Sequence, residues 1–201
     1  MPDLPLLVRH FLEFQLSNNA SSDTALPPDL SPDSPISVFH SAIATFYAPS
    51  DLSGLGGMHT ECIRSTPRWR KGQARYDTVF LERDPDILGM QGLHVGRVFL
   101  FFSFSYNSAK YPCALIQWFS TISEGPDEDT GMWIVQPDLD ANGRRELEVV
   151  HIDCILRGAH LIPVYGHNHL PIDIQHTNSL DIFQAHYVNK YIDHHAFEIA
   201  F

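Results

Sequence analysis

The fold is decided within residues 93–119, where the sequence reads VGRVFLFFSF over 95–104 and YPCALIQWF over 111–119. Both runs are rich in the aromatic and β-branched residues that strands prefer. The residues between them, 106–110, are mostly polar and turn-forming. Because both runs are apolar on both faces, they predict a central β-hairpin that is covered on each side.

Other strand-like runs lie on both sides of this hairpin in the sequence, at short spacing and with no helical pattern between them. They occupy residues 38–47, 58–65, 75–81, 132–136, 147–155 and 159–165. Short strands in this order are typical of a small antiparallel barrel or sandwich. The sequence therefore predicts a mainly β domain over residues 36–201.

The two ends of the chain carry a different pattern. Apolar residues at helical spacing predict a short helix over 4–16, and the polar, proline-rich residues that follow predict a flexible linker, so that 1–35 is a helix plus linker. Near the other end, a second apolar series at helical spacing predicts a helix over 179–195 that closes the barrel. That series is Leu180, Phe183, Tyr187, Val188 and Tyr191.

Composition limits the function classes. The chain has 201 residues and a formal net charge of −11, which argues against nucleic acid wrapping its whole surface but leaves room for a local basic patch. Cys62, Cys113 and Cys154 all lie in strand-like apolar contexts and predict reduced core thiols of an intracellular protein. No apolar run approaches the roughly 18 residues of a membrane span, and no signal-peptide pattern opens the sequence. We therefore expect an intracellular protein with no membrane partner.

One motif resembles part of a calcium site. Residues 138–143, DLDANG, match the first six positions of an EF-hand loop. The twelfth position, which needs a bidentate carboxylate, is Val149, and two arginines enter the loop. Asn-Gly between two strand-like runs is a strong hairpin-turn signal, so we interpret this segment as a turn.

Histidine is abundant, but its spacing does not predict a metal site. The pairs at 167/169 and 194/195 lack a neighbouring cysteine pair or a histidine partner one helical turn away. There is also no Gly-x-Ser-x-Gly elbow, and no spacing singles out a set of acidic residues. We therefore expect no metal, no cofactor and no catalytic activity.

The strongest functional signal is a basic segment, residues 64–75, that contains five cations, one tryptophan and no acid. Guanidinium groups beside an indole suit phosphate contact and base stacking, so these residues are candidates for nucleic-acid binding. They are Arg64, Arg68, Trp69, Arg70, Lys71 and Arg75. The alternative is a solvated loop whose cations pair with acids of the same chain, such as those at 124–129.

A second alternative use of the aromatic residues is a cage for a methylated lysine. Its candidate members are Tyr47, Trp69, Trp118 and Trp133. Most aromatic residues of β domains are simply part of the core, and this favours the core interpretation.

Several longer blocks resemble one known family. They are FYAPSDLSG at 46–54, RSTPRWR at 64–70, PDEDTGMW at 126–133, RGAHLIPVYG at 157–166 and the tail at 179–195. Together they resemble the C-terminal region of Plavaka-type transposases, CACTA-like elements of mushroom-forming fungi. The resemblance covers roughly residues 36–201.

In that family the catalytic domain, which is of the DDE, RNase H-like type, lies upstream of this region. The resemblance therefore implies a non-catalytic accessory module, and its DNA context implies a nuclear location. Combined with the basic segment, it favours weak DNA binding. The alternative is a protein-interaction or chromatin-reader-like module that docks on a transposase core or another protein.

Overall fold

The computed structural model describes residues 4–19, 35–51, 53–166, 169–175 and 177–201. Its α-helices are α1 (Leu4–Asn19), α2 (Ser179–Ile182) and α3 (His194–Ile199). Its strands are β1 (Ser37–Phe39), β2 (Ser41–Tyr47), β3 (Met58–Thr66), β4 (Arg75–Tyr76), β5 (Thr78–Glu82), β6 (Leu93–Tyr106), β7 (Ala109–Thr121), β8 (Ile134–Pro137), β9 (Leu147–His151), β10 (Ile155–Ala159), β11 (Leu161–Pro163) and β12 (His186–Val188). Two 3-10 turns occupy Met90–Gly92 and Ile152–Cys154. The mainly β prediction is confirmed.

The predicted central hairpin is strands β6 and β7. Their register runs from Val95 opposite Phe119 to Tyr106 opposite Ala109, and a two-residue turn joins them. Both turn residues, Asn107 and Ser108, have positive φ, at 48° and 64°. This is the conformation of a type I′ turn, whose twist matches that of the flanking strands.

The long hairpin organises a nearly closed, antiparallel, barrel-like sheet in the order β10-β5-β6-β7-β8-β12-β11. Each long strand pairs along its outer edge with two short strands in succession. Strand β6 pairs with β5 along its first part and with β1 further along, and β7 pairs with β9 and then with β8. A separate sheet, β2-β3-β4, carries the basic segment.

The hairpin also supplies residues to every part of the core. Its buried side chains are shared among three clusters, with Val95 and Phe119 in the first, Phe102, Phe104, Cys113 and Leu115 in the second, and Val98, Phe101, Ala114 and Ile116 in the third. At Gly96 the two strands pack so closely that a Cβ atom would lie 2.4 Å from Cγ2 of Ile116. A side chain at this position would force the hairpin apart.

The N-terminal helix is confirmed, and it packs on the β domain. Val8, Phe11 and Leu12 are buried against the second core cluster, whereas Phe14 is 63% exposed. The helix extends to Asn19, which is further than predicted, so the start of the predicted linker is helical. The rest of that linker, residues 20–34, lies outside the described residues.

The predicted helix over 179–195 is wrong. Only its first residues form α2; the chain then pairs as β12 with β8 and β11, and α3 begins at His194. Asp193 caps α3, accepting a hydrogen bond from the Ala196 N–H at 2.8 Å. In β12, the alternate residues His186 and Val188 are buried. The open edges of β8 and β11 offer backbone partners that outweigh the helical spacing.

The prediction of three core thiols is right only for Cys113. Cys62 and Cys154 are exposed, and all three cysteines are free. Burial raises the pKa of the Cys113 thiol to about 12, so this thiol stays protonated. None of the helices in the described residues is long and apolar enough to cross a membrane.

Candidate nucleic-acid interface

The basic segment forms the connection between β3 and β4. These strands pair Ser65 with Tyr76 and Thr66 with Arg75, so they close the loop at its base. At its tip, the Trp69 N–H donates to the Gln73 carbonyl at 2.9 Å, and the Gly72 N–H donates to the Trp69 carbonyl at 2.7 Å.

Arg70 and Lys71 lie inside this turn, with φ of 48° and 66°. Most residues disfavour this left-handed conformation, and the backbone hydrogen bonds across the turn offset its cost. Both side chains are exposed at the tip.

Three arginines surround the indole of Trp69. The guanidinium carbons of Arg64, Arg70 and Arg75 lie 4.3, 5.3 and 5.5 Å from the ring centroid. These distances are those of cation–π contacts. Four of the six predicted site residues are therefore in one cluster, and Trp69 acts as the platform that holds its guanidinium groups.

The other two predicted residues flank this cluster. Arg68 and Lys71 are exposed, and neither has an ion pair or ring contact with any described residue. The backbone of Arg68 is fixed by Thr66, whose Oγ1 donates to the Arg68 carbonyl at 3.1 Å. We call the six residues together the Trp69 patch: Arg64, Arg68, Trp69, Arg70, Lys71 and Arg75.

Among the described residues, one acid bonds to the Trp69 patch, and it is not at 124–129. Arg75 donates from Nε to Oδ1 of Asp77 at 2.7 Å, and Oδ2 of Asp77 accepts from the Arg64 N–H at 2.9 Å. The suggested partner at 124–129 is therefore wrong. In that turn Asp127 accepts instead from the hydroxyl and N–H of Thr130, and these bonds lower its pKa.

A cleft of about 800 Å³ opens beside the Trp69 patch. Trp69, Gln73, Ala74 and Arg75 line it together with residues from 158–161 and 177–180. Gln73 joins the two segments directly, accepting from the Thr177 hydroxyl at 2.8 Å. Its inner wall includes the buried residues Thr78 and Arg97. Sequence reasoning did not find this cleft, because its walls come from segments that are distant in the chain.

The calcium-like segment is a turn, as interpreted. Asp140 accepts hydrogen bonds from the N–H groups of Asn142 and Arg144, both at 2.8 Å, and these bonds lower its pKa. Leu139 and Arg145 form a β-bridge across it, and Gly143 has φ of 71°. The carboxylate of Asp140 is therefore directed at its own backbone.

No group of three metal-ligand side chains is found in the described parts of the chain, which exclude His167. His194 and His195 open α3, where they were expected to end a helix. The ring of His195 stacks on Phe46 with centroids 4.8 Å apart, and burial lowers its pKa. This histidine is thus packed in the core against an aromatic ring.

The four aromatic residues proposed as a cage lie in different places. Trp133 is buried in the first core cluster, and Trp118 donates from Nε1 to Glu148 at 2.7 Å. Among the residues that the structure describes, no ring contact joins any two of Tyr47, Trp69, Trp118 and Trp133. The core interpretation therefore holds for Trp133, and the geometry does not assemble a cage.

A scan against protein-family models gives no match to this chain. Searches of curated proteins and of solved structures find no match either. What the chain does therefore has to follow from the chemistry of its own surface, above all of the Trp69 patch.

Proposed function

We propose that this chain is a non-catalytic accessory module that binds nucleic acid weakly through the Trp69 patch. The observation that carries the proposal is the imbalance of charge there: five cations have one carboxylate partner among the described residues, Asp77, in a chain whose formal net charge is −11. Cations that are already paired with acids have little to offer a phosphate. Those of the Trp69 patch are largely unpaired and exposed.

The way in which Trp69 holds the arginines favours phosphate binding. A cation–π contact with the face of a guanidinium leaves the N–H groups at its edge free to donate. Of the three arginines around Trp69, Arg75 donates to Asp77 and Arg64 gives one N–H to the Cys62 carbonyl, so Arg70 and the remaining N–H groups of Arg64 are the preordered donors. Arg68 and Lys71 add two further charges. Preordering lowers the side-chain entropy that phosphate binding costs.

The binding should be weak because the rest of the surface is acidic and repels a polyanion. The resemblance to transposase tails supplies the biological setting of this proposal, in which the partner is DNA and the chain acts in the nucleus. The catalytic step belongs in that setting to another domain.

A second candidate is a protein-interaction module that docks on a transposase core or a chromatin protein. It is favoured by exposed aromatic side chains near the C-terminus: Tyr191, Phe197 and Phe201 are each more than half exposed. The rings of Tyr191 and Phe197 lie 5.9 Å apart. Exposed apolar clusters of this kind are typical of protein contacts.

A DNA titration at low salt tests the first proposal. The variant Arg68→Gln/Arg70→Asn/Lys71→Asn removes three charges, and asparagine tolerates the left-handed backbone at 70 and 71. The matched control, Arg83→Gln/Lys110→Gln/Arg144→Gln, removes three exposed charges elsewhere. We expect the patch variant to lose affinity by about tenfold and the control to change little.

Fluorescence anisotropy of a labelled duplex measures both effects. Equal losses in the two variants would show that only overall charge matters. Undetectable binding by the unaltered chain would favour the protein-interaction module.

A further inference from the structure

The cleft beside the Trp69 patch has the size and position of a binding site. Its volume of about 800 Å³ lies in the range of small-molecule pockets, roughly 300–1,000 Å³. Trp69 and Arg75 belong both to the patch and to the cleft. A phosphate held by the patch would therefore have its base at the mouth of the cleft.

The cleft combines aromatic residues with arginines, and its two lining carboxylates, Glu61 and Asp77, are already bonded to the Gly158 N–H and to Arg75. Trp69 and Tyr76 both line it, and the ring of Tyr76 is fixed against Phe99 with centroids 5.2 Å apart. Aromatic faces next to cations are how proteins bind single strands, since every base can stack. Paired bases of a duplex cannot enter such a cleft without being unpaired.

A buried donor also lines the cleft. Arg97 is only 5% exposed, and its Nη1 donates to Oδ1 of Asp181 at 3.0 Å. Its Nε has no hydrogen-bond partner among the described residues. Base carbonyls and ring nitrogens are acceptors that suit a guanidinium N–H.

From these observations we infer that the cleft takes one unpaired base, so that the chain prefers single-stranded to duplex nucleic acid. This inference rests on the proposed function and names its ligand class. The patch holds the phosphates, the aromatic walls stack the base, and Arg97 contacts its edge.

The test compares three probes of equal length on the unaltered chain: a thymidine oligonucleotide, an abasic deoxyribose–phosphate strand and a duplex. The abasic strand keeps the phosphates and lacks the bases. We expect the thymidine strand to bind about tenfold more tightly than the abasic strand. We also expect it to bind more tightly than the duplex.

Two variants localise the effect. Ala74 lines the cleft and is partly exposed, so Ala74→Leu should narrow the cleft and bring thymidine binding down to the abasic level. Ala109→Leu, an equal change at the exposed tip of the central hairpin, should leave binding unchanged. Thermal unfolding shows whether each variant is folded. If the Ala74→Leu variant does not fold, the inference is tested by the comparison of the three probes on the unaltered chain.

Equal affinities for the thymidine and abasic strands would overturn the inference. In that case the proposed function would still stand if both strands lose affinity in the Arg68→Gln/Arg70→Asn/Lys71→Asn variant. If neither strand binds the unaltered chain, the inference and the proposed function both fail.

Discussion

Arginines lie over aromatic rings at several places in this molecule, and two of these settings, at Phe46 and at Trp69, differ in burial and in pairing. Arg157 is 3% exposed, lies 4.5 Å from the ring centroid of Phe46 and pairs with both oxygens of Asp193, at 2.9 and 2.6 Å. Oε2 of Glu61 lies 3.7 Å from Nη2 of Arg157. In the Trp69 patch the guanidinium groups are largely exposed, and among the described residues only that of Arg75 pairs with an acid, Asp77.

The difference follows from solvation. A buried guanidinium loses its water and must be paired with carboxylates, whereas an exposed one keeps its water and needs none. Arg157 thereby ties β10 to the start of α3 and to β3, which is a structural role. In the Trp69 patch, Arg75 donates to both oxygens of Asp77 and Arg64 donates to the Cys62 carbonyl. Among the described residues, the side-chain donors of Arg68 and Arg70 have no protein partner, and these remain available to a ligand.

The largest effect should come from Arg157→Met, which leaves Asp193 and Glu61 without their buried partner. We expect the free energy of unfolding to fall by about 3 kcal/mol. Urea denaturation measures it, with Arg70→Asn as the control, for which the change should stay within about 0.5 kcal/mol. If the free energy of unfolding changes by less than about 0.5 kcal/mol in both variants, the buried Arg157 and the exposed arginines of the Trp69 patch do not differ in structural importance.

Replacing the aromatic rings that the guanidinium groups contact should lower stability by less than the loss of Arg157. Phe46 is 8% exposed and also stacks on His195, so Phe46→Leu should cost about 1.5 kcal/mol of stability. Trp69→Leu should cost less stability and weaken DNA binding instead, because its arginines lose their platform. A stability loss for Trp69→Leu that equals the loss for Phe46→Leu would contradict the comparison.

The last prediction concerns the loss of stability at low pH. Burial raises the pKa of Asp193, but hydrogen bonds from Arg157 and the Ala196 N–H outweigh it and lower the pKa to about 2 from 3.8. Because the folded-state pKa is the lower one, this carboxylate stabilises the fold fully above about pH 3.8, and the contribution is lost as the pH falls through 2.

Asp193→Asn tests this assignment, because it should be less stable than the unaltered chain at pH 6. The difference should shrink as the pH is lowered from about 4 to 2, as followed by thermal unfolding. A difference that stays constant over this range would show that the charge of Asp193 contributes nothing.

The comparison also shows what could be predicted from the sequence. The central hairpin was predictable because its signals are local: two strand-forming runs with a short polar turn between them. Strand β12 was missed because its partners, β8 and β11, are distant in the chain. Its apolar residues fit a helical spacing equally well, and tertiary pairing decided between the two.

The same limit applies to the site. The members of the Trp69 patch were found because they are contiguous, and their charge is visible in the composition. Asp77 lies two residues after Arg75 on the strand side of the loop, so the spacing alone could have indicated this ion pair. Arg97 and the cleft could not be predicted, since β3, β5, β6 and the chain around 177–180 meet only in the fold.

The most direct test of the central claim is the salt dependence of duplex DNA binding. The logarithm of the binding constant should fall linearly with the logarithm of the salt concentration for the unaltered chain. The Arg68→Gln/Arg70→Asn/Lys71→Asn variant should flatten this slope by about 2.7, at about 0.9 for each lost phosphate contact. The Arg83→Gln/Lys110→Gln/Arg144→Gln control should keep the original slope, and a slope that the patch variant leaves unchanged would contradict the claim.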